Sequence, residues 1–265
     1  MQIKQNIANG LRNVGLLGIS DKLRYLWQKL YYATRNRRFK KEQPLIKFPP
    51  TYYIYETYRL NYAEYYDDGF QTAKELARII TKNISIFSND KLLDWGCGPA
   101  RIVRHIPSLL PDSNIYASDS NFNYINWCKQ NIPGVNFNMN KMEPPLLYDN
   151  DFFSAVIGLS VFTHLSVKAH DEWIKELHRI IKKAGVLIIT TQGFAYGDKL
   201  LEEEQAIFKT DKIVVREKFK QGHRLYSAFQ PKEAIIGLIK NKFSIAEYIP
   251  GTKINEQDFW VLIKE

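Results

Sequence analysis

From residue 91 onward, short apolar runs of strand length alternate with segments whose apolar residues recur at spacings of three and four. Few architectures accommodate that rhythm. Parallel strands need crossover connections, and those crossovers lay helices on both faces of the sheet. The strands are expected at 91–95, 114–118, 135–139, 152–160 and 186–191, with two closing strands at 243–249 and 258–263. The fourth is mostly apolar along its length, which places it centrally. Helices are expected over 100–110, 122–131, 167–183 and 235–240, the third with Ile174, Leu177, Ile180 and Ile181 on one face. Residues 193–230 interrupt the alternation. Two β-rich runs within them, 212–219 and 223–229, are expected to form a hairpin across Lys220-Gln221-Gly222. An insertion at the carboxyl edge of a parallel sheet is where substrate recognition is usually built.

The first strand runs into Asp94-Trp95-Gly96-Cys97-Gly98-Pro99-Ala100-Arg101. An apolar strand ending in a carboxylate and turning through two glycines lets the backbone approach a ligand at the sheet's switch point. A dinucleotide site would want a small third residue where Arg101 stands, and Asp94 would repel a pyrophosphate. A ligand presenting an amino group or a sulfonium has the right sign. The second strand ends at Asp119, twenty-one residues beyond Gly98. An acid at that spacing is placed to accept the hydroxyls of a ribose.

With those residues in view, the chain resembles the class I S-adenosylmethionine-dependent methyltransferases, over roughly residues 52–265. The resemblance implies an α/β, Rossmann-like fold: a mostly parallel seven-stranded sheet with helices on both faces, here with an N-terminal helical extension and the inserted hairpin as a lid. It implies S-adenosyl-L-methionine as cofactor, held by Asp94, Gly96, Cys97, Gly98, Asp119, Ser120, Asn140, Lys141, Met142 and Ser160. Asn140-Lys141-Met142, before Pro144-Pro145-Leu146, match the loop beside the adenine. Ser160-Val161-Phe162-Thr163-His164-Leu165 match the exit of the fourth strand beside the reactive centre. These segments, with the terminal Gln257-Asp258-Phe259-Trp260-Val261-Leu262, resemble a bacterial branch associated with surface-polysaccharide loci. Ala100 replaces the motif's third glycine, Ser154 a usual aspartate, and Lys183-Ala184-Gly185 a usual Pro-Gly-Gly. Asn140 stands where an acid often meets the adenine amine, and its amide oxygen can accept the same hydrogen bond.

Methyl transfer asks a protein chiefly to hold acceptor and methyl in line, and a hydroxyl acceptor also needs its proton removed. His164 is the first candidate base, with capping of the following helix as its structural alternative. His223 in the insertion is the second and Glu143 a lesser one, while His105, His170 and His178 read as surface or packing residues. The expected reaction is O-methylation of a glycan or other small polar acceptor. A lipid or quinone-like acceptor is the alternative, and a non-catalytic nucleotide-binding module is a third reading that intact Asp94, Gly96, Gly98 and Asp119 disfavour.

The amino-terminal fifth has its own character. Residues 1–50 hold eleven Lys and Arg against two Asp and Glu, so the chain's entire net charge of +9 falls there. The remainder is neutral, which disfavours nucleic acid as a partner of the main domain. Ser20 or Asp21 is expected to cap a helix with Leu23, Leu26, Trp27, Leu30 and Tyr31 on one face, followed by the cluster Arg35, Arg37, Arg38, Lys40 and Lys41. Peripheral contact with an anionic membrane fits this pattern. A helix packed on the body with a solvated charged end fits it equally. Phe48-Pro49-Pro50 then makes a rigid joint, and seven of the sixteen tyrosines crowd into 52–66, a cap over a ligand or ordinary core. The divisions expected are 1–50, an aromatic cap with a lead-in helix at 51–86, and the catalytic domain at 87–265. Two cysteines, Cys97 and Cys128, exclude a disulfide framework and a cysteine-based zinc site, and no metal is expected. No run of about eighteen apolar residues and no secretory leader is apparent, so a cytoplasmic location, with the inner membrane face as a peripheral site, is expected.

Overall fold

A computed structural model describes residues 17–252 and 256–265. The start of the basic extension, with Lys4 and Arg12, lies outside them. The chain divides into two compact units, Met1–Gly69 and Phe70–Glu265, a different partition from the boundaries expected at 50 and 86. In the first unit, helices α1 (Leu17–Tyr31), α2 (Ala33–Glu42) and α3 (Thr51–Thr57) precede α4 (Tyr62–Asn83), within which the boundary falls. Its core is aromatic: Ile54, Leu60, Tyr62 and Tyr65 are buried, and Phe48 stacks on Tyr62 with ring centroids 4.3 Å apart. Ser20 and Asp21 lie inside α1 rather than at its cap. Asp21 accepts a hydrogen bond from the Tyr55 hydroxyl at 2.8 Å, tying α1 to α3.

The second unit is the expected sheet. Seven strands, β1 (Lys91–Trp95), β2 (Asn114–Asp119), β3 (Asn136–Met139), β4 (Phe153–Gly158), β5 (Ile181–Thr191), β8 (Phe243–Ile249) and β9 (Asp258–Lys264), lie in the order β3-β2-β1-β4-β5-β9-β8. Strands β1 to β5 pair in parallel, and β9 runs antiparallel between β5 and β8. This is the Rossmann-like class I fold, and β4 is buried at every residue.

Side chains alternate along each strand, so one sheet feeds two cores. Leu92, Ile115, Ala117, Ala155, Ile157, Val186 and Ile188 face one side with Leu76 and Ile80 of α4 and Ile125 of α6 (Phe122–Asn131). Leu93, Trp95, Val156, Leu187, Ile189 and Trp260 face the other with Trp173, Ile174 and Leu177 of α7 (Val167–Ile180) and Ile235 of α9 (Lys232–Ile239).

Three expected elements differ. No continuous helix spans 100–110. Ala100 sits at φ +61°, and Val103–His105 form a 3-10 turn before the single turn α5 (Ile106–Leu109), where Pro107 lacks the N–H a longer helix would use. The helix expected to Lys183 stops at Ile180, because Ile181 already pairs with Phe153 as the start of β5. The hairpin of the insertion, which also holds α8 (Glu202–Phe208), is shorter than expected. Only β6 (Val214–Arg216) and β7 (Ser227–Phe229) pair, leaving residues 217–226 as a loop tied to the β4 exit instead of a ladder. Among the described residues no helix is long and apolar enough to cross a membrane.

Candidate functional site at the carboxyl edge of the sheet

The carboxyl ends of β1, β2 and β4 bring the predicted residues to one edge of the sheet. Beyond Asp94 the chain turns, and the amides of Gly96 and Cys97 both donate to the Ser118 carbonyl, at 2.8 and 3.0 Å. Gly96 has φ +76°, and a Cβ there would collide with Val161, so both conformation and space require glycine. The Gly98 amide donates to Asp119 Oδ2 at 2.9 Å and the Asn121 amide to Oδ1 at 2.8 Å. Asp119 is thereby fixed in orientation while each oxygen keeps accepting capacity. Asn121 also caps α6, accepting from the amides of Asn123 and Tyr124. Ser120, beside it, is exposed.

Electrostatics at this edge favour a cation. Burial, and then the neighbouring Asp119, push the Asp94 carboxyl up to about 7, with Arg101 pulling the other way. Burial also raises Asp119, against the amides of Asn121, Gly98 and Ser120. Two desolvated carboxyls that resist ionising together are relieved by a positive group placed between them and solvent. The thiols of Cys97 and Cys128 are buried and free, and burial raises both. Cys97 Sγ contacts the Gly98 carbonyl at 3.5 Å and Cys128 Sγ at 3.8 Å, so they pack beneath the loop.

The loop after β3 forms the next wall. The Asn140 amide donates to the Asp119 carbonyl at 3.1 Å, and Asn140 Nδ2 to the Lys141 carbonyl at 2.6 Å. Among the described residues Asn140 Oδ1 is buried without a hydrogen-bond partner, an acceptor left with unused capacity. Trp173 Nε1 donates to the Met142 carbonyl at 3.1 Å, while Lys141 is exposed. Glu176 and Arg179 of α7 hold the following segment: Glu176 accepts from the Leu146 amide at 2.7 Å, and Arg179 donates to the carbonyls of Leu146 and Tyr148. The sequence reading missed both residues, whose signal is only an i, i+3 pair on a helix.

At the β4 exit, Ser160 has φ +59°, donates its amide to Thr190 Oγ1 at 2.7 Å and its hydroxyl to Gln257 Oε1 at 2.9 Å. The Phe162–His164 turn follows, and Ser166, not His164, caps α7. His164 instead points its ring at the insertion, where Nδ1 lies 2.8 Å from the Tyr226 carbonyl. A carbonyl only accepts, so Nδ1 carries the proton and Nε2 keeps its lone pair. Burial, with help from His223 and Arg224, holds the imidazole below its usual range despite the Tyr226 carbonyl. The loop 217–226 is pinned here as well: the Gly222 amide donates to the His164 carbonyl at 2.9 Å, and the Ser166 amide to Gln221 Oε1. His223 is exposed, stacks on Phe219, and accepts from the Leu225 amide at Nδ1. Beneath lies a network that sequence reasoning did not find. Buried Gln230 donates to the Phe162 carbonyl and meets His170 Nε2 at 3.0 Å, and its Oε1 accepts from the Gln192 amide. His170, expected to be a packing residue, is fully buried in it.

A strand-end acid, a glycine turn, a second strand-end acid and a parallel sheet define the class I methyltransferase architecture. The comparisons agree. The methyltransferase domain family model matches residues 92–185, which run from β1 to the start of β5. No curated protein matches the chain. Among solved structures, it is similar to an S-adenosylmethionine-dependent methyltransferase from Methanosarcina mazei, with TM-score 0.56 and 17% identity over 71% of this chain and 96% of that one. It is also similar to magnesium protoporphyrin IX methyltransferase from Synechocystis PCC 6803 with bound S-adenosylhomocysteine, at TM-score 0.55 and 15% identity over 89% and 99%. Geranyl diphosphate C-methyltransferase from Streptomyces coelicolor A3(2) aligns with TM-score 0.50 and 10% identity over 77% and 86%. The family match supports a methyltransferase that uses S-adenosylmethionine, and the solved structures share its fold.

Proposed function

We propose that the chain transfers a methyl group from S-adenosylmethionine to a hydroxyl of a glycan or other small polar acceptor. The observation that supports a hydroxyl acceptor is His164, buried at the β4 exit with Nδ1–H engaged by Tyr226 and Nε2 free to accept a proton. The bound cofactor supplies an electrophilic methyl on a sulfonium. The protein's own residues do the rest. Asp119 accepts from the ribose hydroxyls, Asn140 Oδ1 from the adenine amine, and Asp94 provides the negative charge that a cationic amino-acid end requires. Gly96, Cys97 and Gly98 form the floor, with Ser120, Lys141, Met142 and Ser160 at its margin. His164 Nε2 takes the acceptor proton as the oxygen attacks, and general-base help of this kind is worth about 10²–10⁴ in rate. His223, on the inserted loop 217–226, is the second candidate base.

The test has two parts. Calorimetric titration with S-adenosylhomocysteine should show binding to the wild type and a loss of about ten- to a hundredfold in Asp119→Ala, the worth of hydrogen bonds to a charged acceptor. Unchanged affinity would remove Asp119 from the cofactor site. Tritiated-methyl donor is then incubated with a panel of sugars, sugar nucleotides and polyprenol-linked sugars. Label is expected as a methyl ether on a sugar; label confined to an apolar carrier would replace the polar acceptor with a lipid.

A further inference from the structure

Helix α1 is amphipathic in the sense the sequence predicts, but it packs the other way round. The side turned into the first unit carries Tyr25 and Gln28, with Tyr32 just past the helix end. Gln28 Oε1 accepts from the Leu60 amide at 3.2 Å, and Asn36 of α2 bonds the Leu60 carbonyl and the Tyr62 amide at 3.0 and 2.9 Å. Buried polar side chains clamp the 60–62 backbone, and Tyr25 and Tyr32 pack on the aromatic core. The apolar face of Ile19, Leu23, Leu26, Trp27, Leu30 and Tyr31 is left outside. Each is more than half exposed, Leu30 at 78%. Trp27 stacks on Tyr31 at 5.0 Å, and the Arg35 guanidinium lies 5.6 Å from the Tyr31 ring.

From this exposed face we infer that α1 is the docking surface for an anionic lipid bilayer. Three observations select that occupant. At about 100° per residue, Lys22 and Lys29 flank one edge of the apolar stripe and Arg24 the other, so all three ammonium and guanidinium heads can reach headgroups while the stripe enters the acyl boundary. Stacked Trp27 and Tyr31 combine apolar bodies with polar tips, the chemistry enriched at membrane interfaces. Residues 17–50 carry nine Lys and Arg against two Asp and Glu, so a second copy of this face would bring like charges together. Nucleic acid would match the charge but leave the leucines uncovered.

The test uses the full chain and vesicles of phosphatidylglycerol and phosphatidylcholine in equal parts, against phosphatidylcholine alone. Co-sedimentation is expected with the anionic vesicles only, and it should fall as salt rises. Lys22→Gln/Lys29→Gln should weaken partitioning about thirtyfold, the worth of two surface charges. Leu26→Gln/Leu30→Gln should abolish it. Both pairs are exposed, so melting temperatures should match the wild type. No anionic binding at low salt, or equal binding by either double variant, overturns the inference. So does a dimer in sedimentation velocity that Leu30→Gln dissolves and vesicles do not, which would give the face to a second copy. The readout needs neither methyl donor nor acceptor, so its outcome is independent of the proposed reaction.

Discussion

His164 shows how one backbone contact decides a side chain's chemistry. Its neighbour in the insertion, the Tyr226 carbonyl, can only accept, and that fixes which ring nitrogen is basic. His164→Gln is expected to lower kcat by about 10²–10⁴ while S-adenosylhomocysteine affinity stays close to wild type. The wild-type kcat should rise with pH along an acid limb whose midpoint lies below the ordinary histidine value, because the imidazole is held down by burial. A variant with normal turnover, or an unchanged acid limb, would return His164 to a structural role. At this scale the sequence was informative where groups are contiguous. Asp94, Gly96 and Gly98 sit in one short motif, and Asp119 stands at a fixed distance from it. It was silent where a residue works through a distant backbone group. Nothing in the neighbours of Gln230 or Tyr226 announces that 162, 164 and 192 lie against them.

Elements were legible by period and misread at their ends. Continuous apolar runs identified the strands because each faces two cores. Boundaries failed where a local backbone requirement overrode the pattern, as at Ala100 with its positive φ and at Ile181, which joins β5. The insertion failed for a related reason. Its loop is held by Gly222 and Gln221 against the β4 exit, and tertiary bonds of that kind leave no periodicity. The Gln230 network joins these elements, tying the end of β7 to the β4 exit, the β5 exit and α7. Gln230→Leu would leave the Phe162 carbonyl, the Gln192 amide and His170 Nε2 buried with lost partners. At about 1–3 kcal/mol for an unsatisfied buried group, the variant should lose about 2–5 kcal/mol in urea denaturation. A loss within about 0.5 kcal/mol, the range of an ordinary surface substitution, would show that the network does not hold the insertion.

For the whole molecule, charge is divided unevenly along the chain in a way composition alone revealed: the basic excess lies in residues 1–50 and the remainder is neutral. Composition could not reveal which face of α1 packs, because Gln28 and Asn36 are buried by specific hydrogen bonds rather than by hydrophobicity. The site imposes its own cost on the fold through Asp94. Its carboxyl titrates at about 7 in the folded chain, against an ordinary value near 3.8. A folded value above the unfolded one means that the folded state binds the proton more tightly. Asp94 therefore favours folding fully below about pH 4, and that contribution is lost as pH rises through 7. Asp94→Asn removes the titration while keeping a similar shape. Compared with the wild type, the variant should melt higher at pH 8 by several degrees, at about 2–4 °C per kcal/mol for a chain of this size, and the gap should narrow steadily as pH falls below 7 and close near pH 4. Binding should move the opposite way. Wild-type affinity for S-adenosylmethionine, whose positive groups favour the carboxylate, should strengthen from pH 6 to 8 with proton release, visible in calorimetry across buffers of different ionisation enthalpy. Asp94→Asn should bind more weakly and release no proton. A variant that gains stability at pH 8 and keeps full affinity would mean that the buried carboxylate serves neither the fold nor the cofactor.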